Sequence, residues 1–223
     1  QKGYGPNSIY EIPPQKMSED CLYLNVWTNN ISEEKKSVFV WIHGGSLTRE
    51  GGTSPQYLGK NLAKKGVVYV SFNYRLNAFG FMAHPNLSSE SEDGVSGNYG
   101  ILDQIKALEW IQKNISAFGG DPNNVTIAGE SAGGWSVTLL VATKKAKGLF
   151  QKAIAQSGAY LWPGPHLKEA KNGYSSGESE GAEFMSKLGA ESLDLMRNIT
   201  SEAIVNLFFS KNNSLSSEPL IDG

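Results

Sequence analysis

One cysteine, Cys21, is all the 223-residue chain contains, so no disulfide can close within it and the redox compartment is left open. No apolar run approaches the roughly 18 residues that a membrane-spanning helix needs. Charge is sparse and balanced, 19% of residues with a net charge of −2. That leaves no basic face to hold nucleic acid or anionic lipid. The start, Gln1-Lys2-Gly3-Tyr4-Gly5-Pro6, has neither an initiator methionine nor the apolar stretch of a signal peptide, and reads as a processed or cut start. Localisation, secreted, periplasmic or cytoplasmic, does not follow from it. Histidine is scarce as well, with His43, His84 and His166 the full set. Between Ala132 and Pro165 there is no Asp or Glu. No internal repeat appears. Asn-x-Ser/Thr triplets at Asn30, Asn86, Asn114, Asn124, Asn198 and Asn212 fall partly within expected core elements and are read as chance.

What the chain does have is the composition of an ordinary globular protein, 39% hydrophobic, with length enough for one large domain or two small ones. Leu22–Thr28 and Val38–Ile42 read as strands joined by a polar turn, and are expected to pair as an antiparallel hairpin. Leu58–Lys65 suits a short helix stopped at Gly66. Val67–Phe72 is the near-continuous apolar run of a buried parallel strand. Residues 76–97 look like a long connection rich in Gly, Ser and Asn. Ile101, Ile105, Leu108, Ile111, Ile115 and Phe118 recur at helical spacing and predict a helix over about 99–117. Strands follow at Val125 and at Lys152–Gln156, with a helix between them. Alternation of this kind implies a mostly parallel sheet covered by helices. Beyond a polar stretch from His166, two amphipathic helices are expected at roughly 180–188 and 192–208. The first carries Phe184, Met185 and Leu188; the second carries Leu193, Met196, Ile199, Ile204 and Leu207.

Chemistry concentrates at Val125-Thr126-Ile127-Ala128-Gly129-Glu130-Ser131-Ala132-Gly133-Gly134. Gly-x-Ser-x-Gly alone is a weak signal, compatible with a plain glycine-rich β–α turn. Here it sits between a strand and a helix, where a sharp turn holds the serine hydroxyl exposed and strained. The helix that follows aims backbone N–H groups at the place where negative charge would develop. Upstream, Val38–Ile42 ends in His43-Gly44-Gly45-Ser46, a loop suited to supplying further oxyanion donors. Together the two patterns point to a nucleophilic serine.

Further stretches carry a family resemblance. Ser18-Glu19-Asp20-Cys21-Leu22-Tyr23-Leu24-Asn25-Val26 resembles the N-terminal signature of type-B carboxylesterases, the cholinesterase-like branch of the α/β-hydrolases. Phe118-Gly119-Gly120-Asp121-Pro122, running on to Gly129–Gly134, resembles their active-site signature. Asn73-Tyr74-Arg75, Gly97–Gln104, Gly148-Leu149-Phe150 and Gln156-Ser157-Gly158 also fit, densely over about 18–160 and loosely to Gly223. The resemblance implies an α/β-hydrolase fold, a mostly parallel central sheet flanked by helices and incomplete at both ends. Residues 1–163 would be its partial core, and 164–223 a helical excursion or cap segment of the same domain.

It also implies that Ser131 is the acylated nucleophile, with N–H groups of Gly45, Ser46 and Ala132 as the oxyanion hole. Ser46 stands where the family usually has a third glycine. Glu130, Trp135 and Trp162 would border the substrate pocket, the alternatives being an outward-facing acid for Glu130 and plain core for the tryptophans, and Arg75 with Asp103 would form a scaffold ion pair. In secreted relatives Cys21 often pairs with a cysteine upstream. The activity implied is hydrolysis of a small carboxylic ester through an acyl-enzyme, with neither metal nor cofactor, and with no nucleic-acid partner.

A serine hydroxyl needs a histidine base and that base an orienting acid, in the chain order Ser, acid, His. Only His166 follows Ser131, in a Pro-Gly-Pro loop without an acid before it, and it reads as a solvated loop residue. The acid and base are therefore expected beyond Gly223, in the remaining half of the hydrolase domain, and the chain by itself reads as an inactive fragment. Two alternatives remain: a non-catalytic cholinesterase-like adhesion or scaffold protein, and a lipase or serine peptidase on the related fold.

Overall fold

A computed structural model describes residues 17–158 and 164–222. It divides into two compact units, Gln1–Tyr74 with Leu102–Tyr160, and Arg75–Ile101 with Leu161–Gly223.

The first unit is built on a sheet of five strands: β1 Leu24–Trp27, β2 Lys36–Ile42, β3 Val68–Phe72, β4 Gly120–Glu130 and β5 Lys152–Gln156. Their order is β1-β3-β2-β4-β5, with β1 antiparallel to β3 and every other pairing parallel. In β2 the side chains of Val38, Val40 and Ile42 are buried while Phe39 and Trp41 on the other face are half-buried. Every residue of β3 is buried, as the near-continuous apolar run predicts for a strand covered on both faces. β5 is the opposite case, exposed along its whole length.

The expected hairpin between β1 and β2 does not form. Both edges of β2 are taken by β3 and β4, so β1 pairs with the outer edge of β3, Leu24 opposite Phe72. Asn73, just past β3, fastens this arrangement: its side-chain N–H donates to the Cys21 carbonyl (2.9 Å) and its backbone N–H to the Tyr23 carbonyl (2.9 Å).

Helix α1 (Lys60–Ala63) precedes β3 and is closed off by Gly66 at φ 85°, as anticipated. The segment read as a long connection, 76–97, holds two helices, α2 (Asn77–Phe81) and α3 (Pro85–Glu90), a correction to the sequence reading. They are too short for a periodic apolar stripe, and the start signal at α3 is unusual: His84 Nδ1 accepts the Asn86 N–H, with Pro85 at the first helical position.

The long amphipathic helix is α4 (Tyr99–Asn114), continued by a 3₁₀ turn to Phe118. Leu108, Ile111 and Ile115 are fully buried on its predicted face. After β4 comes α5 (Ala132–Ala142), anchored to α4 through buried polar contacts. The Gln104 side chain donates to Ser136 Oγ (3.0 Å), which donates to the Ala132 carbonyl (3.0 Å).

The second unit also contains α6 (Gly177–Lys187), α7 (Leu193–Arg197) and α8 (Ser201–Phe208). Their apolar faces close a core of Phe184, Met185, Leu193, Met196, Ile204 and Phe208 with Ala78 and Met82. The single helix expected over 192–208 is two, because Thr200 takes the N-cap of α8, accepting the Ala203 N–H. The polar stretch from His166 is partly ordered as well: His166 bridges Ile221, and α6 begins at Gly177 behind a Ser176 cap.

Candidate active site

Four glycines bring α5 to backbone distance from the strand ends. A Cβ on Gly129 would strike the backbone of Gly133, and one on Gly133 would strike the Ile42 carbonyl. One on Gly134 would lie 2.7 Å from the Gln156 carbonyl oxygen. Gly158 in turn abuts Gly134. With no side chain to hold strand and helix apart, the chain must reverse direction within one residue. That residue is Ser131, at φ 55° and ψ −123°, a conformation L-residues rarely adopt.

Ser131 is half-buried. Its N–H donates to the carbonyl of Gln156 at the end of β5 (3.0 Å), and its carbonyl accepts the Trp135 N–H (3.0 Å). Both backbone groups are thereby committed, and its hydroxyl makes no hydrogen bond among the described residues. Ala132 is the first residue of α5, where N–H groups have no acceptor within the helix.

The His43–Ser46 loop lies directly against this turn. A Cβ built on Gly44 would sit 2.7 Å from the Glu130 carbonyl oxygen and 3.4 Å from Ser131 Cβ. Gly45, Ser46 and Leu47 are all left-handed, at φ 89°, 56° and 58°. The run is closed by the Gly45 carbonyl, which accepts the Thr48 N–H (3.0 Å), the Arg49 N–H (3.1 Å) and the Thr48 hydroxyl (3.2 Å). Burial of Leu47 at 2% exposure offsets part of the cost of the two non-glycine left-handed residues.

His43 is fully buried, its ring stacked on Tyr74 at 4.3 Å between centroids and 18° between planes. Its Nδ1 lies 3.0 Å from the Gly44 carbonyl, which can only accept, so Nδ1 carries the proton. Nε2 is buried without a partner among the described residues. Burial pushes the imidazole down to about 4, against the Gly44 hydrogen bond that favours the charged form, so the ring is neutral near pH 7. The Tyr74 hydroxyl donates to the His43 carbonyl (2.8 Å).

Glu130 and Trp135, flanking the turn, are half-buried. Tyr57 donates to Glu50 Oε2 (2.8 Å) and packs on Trp41 at 5.3 Å. Burial raises the Tyr57 phenol, the Glu50 contact and the Glu130 charge add to this, and its Gln56 hydrogen bond opposes it. Trp162 lies outside the described residues. His166 is half-buried and held by its backbone, its carbonyl accepting the Gly177 N–H (2.9 Å), rather than fully solvated. Among the described residues no His/Cys/Asp/Glu cluster could hold a metal ion, and no helix is long and apolar enough to cross a membrane.

Glu130, Ser131 and Ala132 thus follow one another through the turn, and Gly44, at the head of the Gly44–Ser46 loop, packs against it. Sequence reasoning passed over the ring of His43 and the hydroxyl of Tyr74. Asn73-Tyr74-Arg75 was a visible motif, but nothing in it says that the tyrosine reaches back to the end of β2.

Residues 4–223 match the family model described as the carboxylesterase family. The chain is 41% identical over 207 residues to a fumonisin B1 esterase of Sphingopyxis macrogoltabida, covering 92% of this chain and 37% of that protein. It is 53% identical over 153 residues to the para-nitrobenzyl esterase of Bacillus subtilis, covering 68% and 30%. A solved carboxylesterase of Geobacillus stearothermophilus superposes with a TM-score of 0.81 at 37% identity, over 92% of this chain and 43% of that one. The chain therefore spans less than half the length of these relatives.

Proposed function

The chain belongs to the carboxylesterase family, and on that premise we propose that Ser131 is the nucleophile of a serine esterase. The observation that carries the reading is the Ser131 turn itself. A strained residue at the top of a parallel strand, followed by a helix N-terminus and packed against Gly44 so closely that a side chain there would meet Ser131 Cβ, is the arrangement acyl transfer requires.

In this reading Ser131 Oγ attacks the carbonyl carbon of a small carboxylic ester while a histidine takes its proton. The oxyanion that forms accepts hydrogen bonds from the N–H groups of Gly45, Ser46 and Ala132. Collapse breaks the C–O bond, the histidine returns the proton to the departing alkoxide, and water later hydrolyses the acyl-serine by the same route. Glu130 and Trp135 border the space for the alcohol or acyl group. Histidine and its orienting acid come from the part of the hydrolase domain beyond residue 223, and the reaction uses no metal or cofactor. Hydrolysis in the relatives named for fumonisin B1 and p-nitrobenzyl esters supports an ester as substrate.

The test is hydrolysis of p-nitrophenyl acetate by the full-length protein, its Ser131→Ala form and the isolated 1–223 chain, with intact-mass detection of an acyl adduct. Expected is turnover by the full-length protein alone, with acyl transfer to Ser131. Robust Ser131-dependent turnover by the isolated chain would require a base within it. Turnover unaffected by Ser131→Ala would end the nucleophile assignment.

A further inference from the structure

We infer that His43 and Tyr74 are positioning residues that aim the Gly45 N–H at the oxyanion. This rests on the esterase reading and extends it from the donors to the groups that orient them.

A trans peptide holds its C=O and its N–H on opposite sides, so fixing one fixes the other. The N–H of Gly45 shares a peptide with the C=O of Gly44. That carbonyl accepts the Nδ1–H of His43 at 3.0 Å, which turns the Gly45 N–H away from the ring. The preceding peptide is fixed in the same manner, because the His43 carbonyl accepts the Tyr74 hydroxyl at 2.8 Å. Stacking of the two rings at 4.3 Å leaves the imidazole little freedom to rotate out of the bond. Gly44 has no side chain to limit its dihedrals, so without these two bonds its peptides are free to flip.

The next donor is set by different means. The Ser46 N–H shares its peptide with the Gly45 carbonyl, already tied by Thr48 and Arg49. Each upstream donor thus has its own restraint, and only that of Gly45 depends on a side-chain ring. Neither His43 nor Tyr74 touches the substrate in this scheme. Their effect is preorganisation, felt where charge develops and not in ground-state binding.

The experiment uses the full-length protein. His43→Phe keeps a stacked ring and removes the donor, whereas His43→Asn places an amide N–H where Nδ1 stood. Tyr74→Phe removes only the hydroxyl and serves as the milder variant should His43→Phe fold poorly. Expected for His43→Phe is a fall in kcat of about 10- to 100-fold with KM within about twofold, less than outright loss of an oxyanion donor. His43→Asn recovers most of that loss, and Tyr74→Phe falls between it and the wild type. Affinity for a trifluoromethyl ketone, which adds to the serine as an oxyanion, declines in parallel with kcat/KM. Equal kcat in His43→Phe and wild type, or a loss in His43→Phe that His43→Asn does not restore, overturns the inference. If Ser131→Ala leaves turnover unchanged in the same assays, the esterase reading falls first. Ser131-dependent turnover that is indifferent to His43 removes only the positioning role.

Discussion

Acidification should weaken the fold through His43, by an amount that can be worked out. The ring is fully buried, and its proton affinity drops from the ordinary 6.5 to about 4, chiefly because burial disfavours the imidazolium. Between those values the unfolded chain binds a proton at this residue that the folded chain does not. Unfolding then takes up a proton, so stability rises with pH across the window. The contribution is complete above about pH 6.5, drains away as the pH falls toward 4, and changes no further below. The gap, at about 1.4 kcal/mol per pH unit, amounts to roughly 3 kcal/mol. Many carboxylates titrate in the same range, so the informative quantity is the difference between wild type and His43→Phe. Urea unfolding of both full-length proteins at several pH values from 7.5 to about 3.5 gives two stability profiles. The wild type should lose roughly 3 kcal/mol more than the variant between pH 6.5 and 4. Parallel profiles would refute the reasoning, since they would mean that His43 titrates alike in the folded and unfolded chains.

Other substitutions test neighbouring parts of the argument. Ser131→Gly should abolish esterase turnover yet raise stability by about 1 kcal/mol in thermal denaturation, by relieving a left-handed φ of 55°. Gly44→Ala would drive a methyl group to 2.7 Å from the Glu130 carbonyl oxygen. It should lower kcat about 100-fold and cost about 1–3 kcal/mol, read by initial rates and urea unfolding. In the second unit Phe184, wholly buried among Met185, Leu193 and Phe208, should cost about 3–5 kcal/mol on replacement by Ala in the same unfolding assay. Thr200→Ala should cost about 1 kcal/mol by removing the cap on Ala203.

How far the sequence could be read depended on how local each determinant was. The Ser131 turn was legible because glycine spacing, strand and helix lie within ten residues of one another. β3 and α4 were legible because their burial patterns are written in near-continuous apolar runs and stripes. The partner of β1 was not: pairing with β3 in place of β2 depends on which edge is vacant, and on Asn73 reaching a carbonyl 52 residues earlier in sequence. Helices α2 and α3 escaped notice because five or six residues cannot show a helical period. The division between α7 and α8 was signalled by Thr200, a cap residue that also fits a helix interior when only apolar spacing is weighed. The link from His43 and Tyr74 to the Gly44 loop joins residues 31 positions apart through a hydroxyl and a carbonyl, and leaves no pattern in composition.

The amide of Ser131 is tied to Gln156, the last residue of β5. Fraying of β5 and release of the Ser131 backbone are consequently one event. Amide hydrogen exchange should report them together, with Ser131 protected only as well as the strand that holds it. A strand that pairs along the open side of β5 would slow that exchange from a distance, without touching the serine. Rigidity at Ser131 is in this sense borrowed from β5.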